Sequence, residues 1–472
     1  MSLRKGPPGY NFTTFHNVIN GQLRAGETSY NGIDPATEEK LWDAPVAEKE
    51  DVDEAVSAAA NAFQSWSKVP YEERTEKVNA WADRLLEFQD EISGLSRLEC
   101  GKPEVIEKYE LELSIRNLHA DTAITLEDEV EEREDRTVIT RAVPHGVVVG
   151  ICPWNWPLLI TITQAVPALC TGNCVIIKPS PFTPYTTLKL VEIGQETFPP
   201  GVLQVLGGDD RLGPWLTEHP GVHHISFTGS IATGRKVMAA AAQTIKRVTL
   251  ELGGNDPMII CPDIDIQTVA PKVAWGAFRN SAQACVVSKR IYVHSSIYVE
   301  FLAAMVSATK DLQLGPLQNR MQYEKTQYFL DNCREKGYTF AIGGEMITEI
   351  GKGKGYFLGP SIIDNPPDDS RIVTEEPFGP IVPVLSYNTE EEAIRRANAS
   401  VTGLAACVWS ASTSTATRIG SQLEAGMVFI NSFEIPAAGT YFSGHKQSGI
   451  GGEGGKKGLL NYCNVKVLHV MK

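Results

Sequence analysis

Three short segments hold side chains able to take part in covalent chemistry: a thiol, a carboxylate and an amide. In Asn280-Ser-Ala-Gln-Ala-Cys285 small residues surround the cysteine, so its sulfur could be reached and, as a thiolate, could act as a nucleophile. A cysteine is more often a small buried hydrophobe, and that is the reading given to the other eight. Glu251-Leu-Gly-Gly254 puts a carboxylate at a strand end beside two glycines, where a substrate can come close. In Cys152-Pro-Trp-Asn-Trp-Pro157 two prolines and two aromatics fix a rigid corner around Asn155. An amide there can donate to a developing oxyanion, although a buried turn asparagine fits the same pattern.

Two further segments could hold phosphate. Ile225-Ser-Phe-Thr-Gly-Ser-Ile-Ala-Thr-Gly234 reads as a strand running through Gly229 and Ser230 into a helix. Helix-start amides and a serine hydroxyl can hold a pyrophosphate, and an ordinary helix cap reads the same way. Gly234-Arg235-Lys236 does not complete a P-loop. Gly449-Ile-Gly-Gly-Glu-Gly454 has the dinucleotide spacing but no preceding strand and no later acidic partner, so it reads as a tight loop. Cys170 and Cys174 lack companions for a metal set, and no metal site is expected.

The elements that must position these groups follow from periodicity. A strand is expected at 17–21. Helices are expected over 51–66, 72–87 and 91–99, the last stopped by Gly101-Lys-Pro103. The charge run 127–136 reads as a solvated hairpin or helix end. From Gly146 to Leu252, strand-like runs at 147–151, 174–177, 202–206, 225–228 and 248–250 alternate with helical segments. That alternation predicts a parallel sheet covered on both faces. A helix-like segment, 273–278, leads to Cys285. A second alternating region spans 257–430, and a last strand is expected over 464–470.

The chain has 472 residues, enough for two or three domains, with 42 % hydrophobic and 21 % charged residues. A net charge of −14 argues against a nucleic-acid binder. No run approaches the roughly 18 apolar residues of a membrane span, and the first dozen residues hold no apolar signal stretch. Nine cysteines without framework spacing fit reduced thiols and a cytoplasmic protein.

Taken together, the segments resemble the aldehyde dehydrogenase superfamily over nearly the whole chain. The shared motifs are Pro-Trp-Asn at 153–155, Lys-Pro-Ser at 178–180, Phe-Thr-Gly-Ser at 227–230, Glu-Leu-Gly-Gly at 251–254 and the cysteine at 285, followed by Glu375-Glu-Pro-Phe-Gly-Pro380 and Phe442-Ser-Gly-His-Lys-Gln-Ser-Gly449. The resemblance implies an α/β fold: a variant Rossmann cofactor domain (1–118 and 141–250), an α/β catalytic domain (251–445) and a small β bridging element (119–140 and 446–472) that builds a homodimer or homotetramer.

It also implies NAD(P)-dependent oxidation of a small aldehyde to the acid. Cys285 would form a thiohemiacetal, Asn155 and the Cys285 N–H would hold its oxyanion, and after hydride loss Glu251 would activate water against the thioester. Trp154, Lys178, Ser180, Gly229, Ser230, Glu376 and Phe378 would contact the cofactor. Trp156, Ile160, Thr163, Ala284, Val286 and Phe442 would wall an apolar substrate pocket, with the loop 433–440 at its mouth and no evident arginine in that loop for a carboxylate-bearing aldehyde. The rivals are a non-catalytic relative, which would be expected to have lost Cys285, Glu251 or Asn155, and an enzyme passing the acyl group to coenzyme A. Three residues after Lys178 many NAD-preferring relatives carry an acid that accepts from the ribose 2′-hydroxyl; here Pro181 stands there. NAD stays first, and NADP is open.

Overall fold

Every residue of Val147–Ile151 and of Cys174–Lys178 is buried. Uninterrupted apolar strands of this kind belong in a sheet covered on both faces. In the computed structural model, which describes residues 10–344 and 354–472, they lie at the centre of an eight-stranded sheet. Its five parallel strands are Leu203–Val205, Cys174–Lys178, Val147–Ile151, His224–Thr228 and Arg247–Glu251, in that spatial order. Numbered along the chain the order is 3-2-1-4-5, the doubly wound arrangement of dinucleotide-binding folds. Antiparallel additions close the edges: Asn17–Ile19 with Gln22–Arg24 on one side, Gly449–Ile450 on the other. The order reverses between Val147–Ile151 and His224–Thr228, so a crevice opens beyond their carboxyl ends. Asn155 follows the first of these strands and Gly229-Ser230 the second.

A second sheet of seven strands has the order Thr339–Ile342, Ser361–Asp364, Ile381–Tyr387, Ser288–His294, Asp256–Ile260, Ala405–Trp409 and Met427–Ile430. All its neighbours pair in parallel except the first two. Separate apolar clusters cover its faces, one built on Phe329, Leu385 and Ile419, the other on Val273, Phe301 and Met305. A third sheet is antiparallel and small: Glu129–Glu132, Arg136–Pro144 and Cys463–Met471. The charge run is therefore its hairpin. The last strand leaves Val465, Val467, Val470 and Met471 exposed. Among the described residues no helix is long and apolar enough to cross a membrane. Residues 1–9, at the start of the expected cofactor domain, and 345–353, within the expected catalytic domain, lie outside the described residues.

The α/β reading holds, with corrections at element ends. The first three helices run over Lys49–Trp66, Tyr71–Leu86 and Gln89–Cys100, and the strand expected over 202–206 shortens to Leu203–Val205. The helix before Cys285 starts seven residues earlier than read, at Ile266. The 19-residue helix Glu104–Thr122 was not expected at all. Its buried positions include Ile106, Glu107, Glu110, Leu113, Ser114, Leu118 and Asp121, which share one side of the helix but mix acids and a serine with aliphatics. A one-sided apolar stripe, the usual helical signal, is therefore missing.

Candidate active site

Asn155 sits on a corner whose rigidity comes from outside its own segment. The helix Pro157–Cys170 starts directly after it, with proline at the first position, where the missing N–H costs nothing. Two orphan amides of that helix, Leu158 and Leu159, donate to Oε1 of Glu110, at 3.1 and 3.2 Å. Glu110 is buried against Lys102, whose ammonium also lies 4.4 Å from the Trp156 ring centroid. A charged acceptor at a helix start is favourable both as a cap and against the helix dipole. Glu99 does the same after Lys178-Pro-Ser180: its carboxylate accepts from the Tyr185 and Thr186 amides at 2.7 and 2.9 Å, at the start of the helix Tyr185–Gly194.

Cys285 ends a loop of unusual backbone. Asn280, Ser281 and Ala282 have φ of 52°, 55° and 58°, three successive left-handed residues. Side chains from several segments hold the loop in that shape. Asn155 Nδ2 donates to the Gln283 carbonyl at 3.0 Å, and Ser281 Oγ donates to the Gly315 carbonyl at 2.7 Å. The Gln318 amide donates to Gln283 Oε1 at 2.8 Å, and Lys289 Nζ donates to the Cys285 carbonyl at 2.7 Å. Cys285 is half-buried, whereas seven of the other cysteines are buried and Cys463 is half-buried rather than buried as expected.

Glu251 is the last residue of its strand, 6 % exposed, and neither carboxylate oxygen has a hydrogen-bond partner among the described residues. Burial, with Glu453 adding to it, holds its carboxyl well above the usual carboxylate range. The Glu251 strand is held from its far side: Gly449 pairs with Glu251, and the Ser448 hydroxyl donates to the Gly253 carbonyl at 2.8 Å. Gly449 approaches so closely that a Cβ there would stand 2.2 Å from the Leu250 carbonyl oxygen. The glycine-rich tail is thus a tight loop, as its sequence implied, and it also supplies an edge strand, which was not expected. Its Glu453 was missed: it is buried, accepts from Ser226 Oγ at 2.6 Å, and is pushed up to about 7, chiefly by burial.

Cys285 and Glu251 line one cavity. Trp156, Ile160, Thr163, Ala284, Val286 and Phe442 lie on its wall, as do Glu434, Pro436 and Thr440 of the 433–440 loop. No arginine comes from that loop, but Arg279 reaches the wall from the helix end before Cys285. Its guanidinium donates to the carbonyls of Val286 and Glu434, at 2.6 and 2.7 Å, and stands 3.5 Å from the buried Glu434 carboxylate. Burial pushes the Cys285 thiol up to about 12; Lys289 opposes the rise, while Asp256 and Glu251 add to it.

The remaining predicted residues are not on its wall; they lie on segments next to strands of both sheets. Trp154 meets Phe378 edge-on at 5.4 Å, and Phe378 takes a left-handed φ of 55°. Glu376 pairs with Lys289 at 2.9 Å and accepts from the Gly254 amide at 3.4 Å. Lys178 ends its strand buried, donating to the Pro179 carbonyl at 3.2 Å; burial lowers its pKa against the pull of Asp210 and Asp209. Ser180 Oγ accepts from the Phe182 amide at 3.3 Å. Ser230 caps the helix Ile231–Ala242 by accepting from the Thr233 amide, and the Gly229 amide donates to the Glu251 carbonyl at 3.0 Å.

A nucleophile candidate and an unpaired carboxylate on one cavity, beside a doubly wound sheet without the glycine fingerprint, define a narrow class of protein. Residues 23–468 match the aldehyde dehydrogenase family, and the chain belongs to that family. The aldehyde dehydrogenase LUC3 of a Fusarium species is 42 % identical over 467 residues, covering 98 % of this chain and all of that one. Betaine aldehyde dehydrogenase of Staphylococcus aureus, solved in complex with NAD+, superposes with a TM-score of 0.94 at 32 % identity, covering 96 % of this chain and 94 % of its own. A lactaldehyde dehydrogenase structure gives a TM-score of 0.93 at 31 % identity, over 97 % of this chain and 99 % of that one.

Proposed function

We propose that the protein oxidises an aldehyde to the carboxylic acid through a covalent intermediate on Cys285, with hydrolysis driven by Glu251. The observation that carries this reading is the shared cavity: a half-buried thiol and a buried carboxyl with two unpartnered oxygens face the same space. Cys285 Sγ attacks the aldehyde carbon, and its proton passes to a base. Asn155 spends one amide hydrogen on the Gln283 carbonyl, which leaves the other, with the Cys285 N–H, for the oxyanion. Glu251 then takes a proton from water, and the resulting hydroxide cleaves the Cys285 thioester. The mostly apolar wall favours an aliphatic or aromatic aldehyde.

The donor set suits a nicotinamide dinucleotide. Lys178 is a buried ammonium that donates to the Pro179 carbonyl, the helix start after Ser230 offers amides to phosphate, and Glu376 offers a carboxylate to a ribose diol. When bound, that cofactor supplies the hydride acceptor that turns the thiohemiacetal into the thioester. The Staphylococcus aureus relative binds NAD+, which supports NAD here, and Pro181 leaves NADP open. We assign cofactor binding to 1–118 and 141–250 and catalysis to 251–445. The segments 119–140 and 446–472 are assigned to a homo-oligomer contact, and the protein to the cytoplasm.

The test is a panel of aldehydes with NAD or NADP, followed by reduced-cofactor absorbance, on wild type and Cys285→Ala. Wild type is expected to turn over without acceleration by coenzyme A. The variant is expected to bind cofactor and lose oxidation. Normal turnover by the variant defeats the assignment.

A further inference from the structure

Lys289 is a buried cation for which the scheme above has no use. Its side chain is 3 % exposed and makes two strong contacts: Nζ donates to the Cys285 carbonyl at 2.7 Å and pairs with Glu376 Oε1 at 2.9 Å. One ammonium thus touches both the nucleophile's own backbone and the carboxylate assigned to the cofactor ribose. Asp256 belongs to the same cluster. It is buried, its Oδ1 accepts from the Ala405 amide at 3.1 Å, and its Oδ2 has no partner among the described residues. Two glycines make the approach possible. A Cβ on Gly253 would stand 2.4 Å from Glu376 Oε2, and one on Gly254 would stand 2.6 Å from Asp256 Oδ1 and 3.0 Å from the Cys285 carbonyl oxygen.

The charges around Lys289 come from several elements. Glu376 and Asp256 face it, and Lys325, from the helix Arg320–Glu335, shares Glu376 with it. The groups that face the thiol are Lys289, Asp256 and Glu251. Burial works against the ammonium, but Glu376 and Asp256 outweigh it and raise its pKa. Asp256 is pushed up to about 8, chiefly by burial, and Glu376 is the carboxylate paired directly with the ammonium, at 2.9 Å.

Resting on the cofactor reading of Glu376, we propose that Lys289 is a positioning residue that couples the cofactor-ribose carboxylate to the nucleophile loop. It holds Glu376 in place for the ribose diol and pins the Cys285 carbonyl. Hydroxyls that donate to Glu376 draw its charge away from the ammonium. The field of Lys289 on the thiol is then less compensated, and the thiolate becomes easier to form.

The coupling is read without turnover. Alkylation of Cys285 by iodoacetamide is followed against pH in the cofactor-free protein, and NAD affinity by titration. Lys289→Met removes the cation, so the alkylation profile is expected to move to higher pH by about one unit and NAD binding to weaken roughly tenfold. Glu376→Gln removes the counter-charge and leaves the cation, so NAD again weakens but the profile moves to lower pH. Lys289→Arg is expected to restore most of the NAD affinity. A role confined to packing moves both profiles the same way or not at all, and either result overturns the proposal; circular dichroism confirms that each variant is folded. Wild-type aldehyde oxidation tests the underlying reaction by itself, so its failure is distinct from the absence of opposite shifts.

Discussion

Replacing Glu251 by Gln isolates one chemical step. Both carboxylate oxygens are unpartnered and buried, and the group is held protonated well above the usual carboxylate range by burial and by Glu453. Glutamine has the same size and shape and adds no charge to a buried site. No hydrogen bond is lost, and the cost in stability should stay within about 1 kcal/mol. The loss in rate should be far larger. A positioned general base contributes about 10²–10⁴-fold, which at about 1.4 kcal/mol per tenfold is about 3–5 kcal/mol of barrier. If the base acts after the thioester forms, a stopped-flow trace of the variant shows one reduced cofactor per site and then a collapsed steady state, and intact-mass spectrometry finds the acyl adduct. The pH dependence has a fixed sign. Only ionised Glu251 accepts a proton, so below its raised pKa the wild-type deacylation rate climbs with pH, and the variant loses that limb. A variant that turns over within about threefold of wild type, with the same profile and no adduct, refutes the reasoning.

Two other outcomes follow from local chemistry. Pro181→Glu restores an acceptor for the ribose 2′-hydroxyl and a repulsion against a 2′-phosphate, so the ratio of kcat/KM for NAD over NADP is expected to rise about tenfold or more, and an unchanged ratio removes Pro181 from cofactor choice. Besides Glu251 and Glu107, four buried acids have pKa values raised chiefly through burial: Asp256 to about 8, Glu99 and Glu453 to about 7, and Asp121 to about 6. The folded state holds their protons longer than the unfolded chain, whose acids ionise near pH ~4. The stability they give is thus complete below that pH and is lost as pH rises to about 8, so Tm should fall across this window and Asp256→Asn should flatten its upper end.

The nucleophile, base and oxyanion candidates were legible because each lies in a short segment whose own composition is informative. Cys285 is flanked by small residues, Glu251 by paired glycines and Asn155 by prolines. The central strands Val147–Ile151 and Cys174–Lys178 were legible because burial on both faces makes each a nearly continuous apolar run. What sequence did not reveal is support that arrives from far along the chain. Glu110 caps a helix through an amide 48 residues later, and Glu99 caps one through an amide 86 residues later. Nothing local marks either as different from a surface glutamate, and Glu110 sits on the one long helix whose stripe is missing. Arg279 escaped for a similar reason: an arginine was sought in the 433–440 loop, whereas it reaches the cavity wall from the segment before Cys285 and meets that loop at Glu434.

The same division between local signal and distant support explains the loop that presents the thiol. Left-handed backbone costs roughly 1–2 kcal/mol per residue for anything with a Cβ, so Asn280, Ser281 and Ala282 together oppose folding by several kcal/mol. Asparagine tolerates this conformation best, and its amide donates to the Gln283 carbonyl at 3.1 Å. Serine and alanine have no such intrinsic preference, so contacts made elsewhere must hold them. Ser281 is held at Gly315, and Gln283 at Gln318 and Asn155. Each of these bonds contributes on the order of 1 kcal/mol, comparable to the strain of the residue it anchors. The loop is therefore held by its surroundings rather than by its own propensity, which is the condition under which strain persists at a reactive site. Asn155 consequently has a structural part beside the chemical one proposed for it: its amide fixes the carbonyl two residues before the thiol.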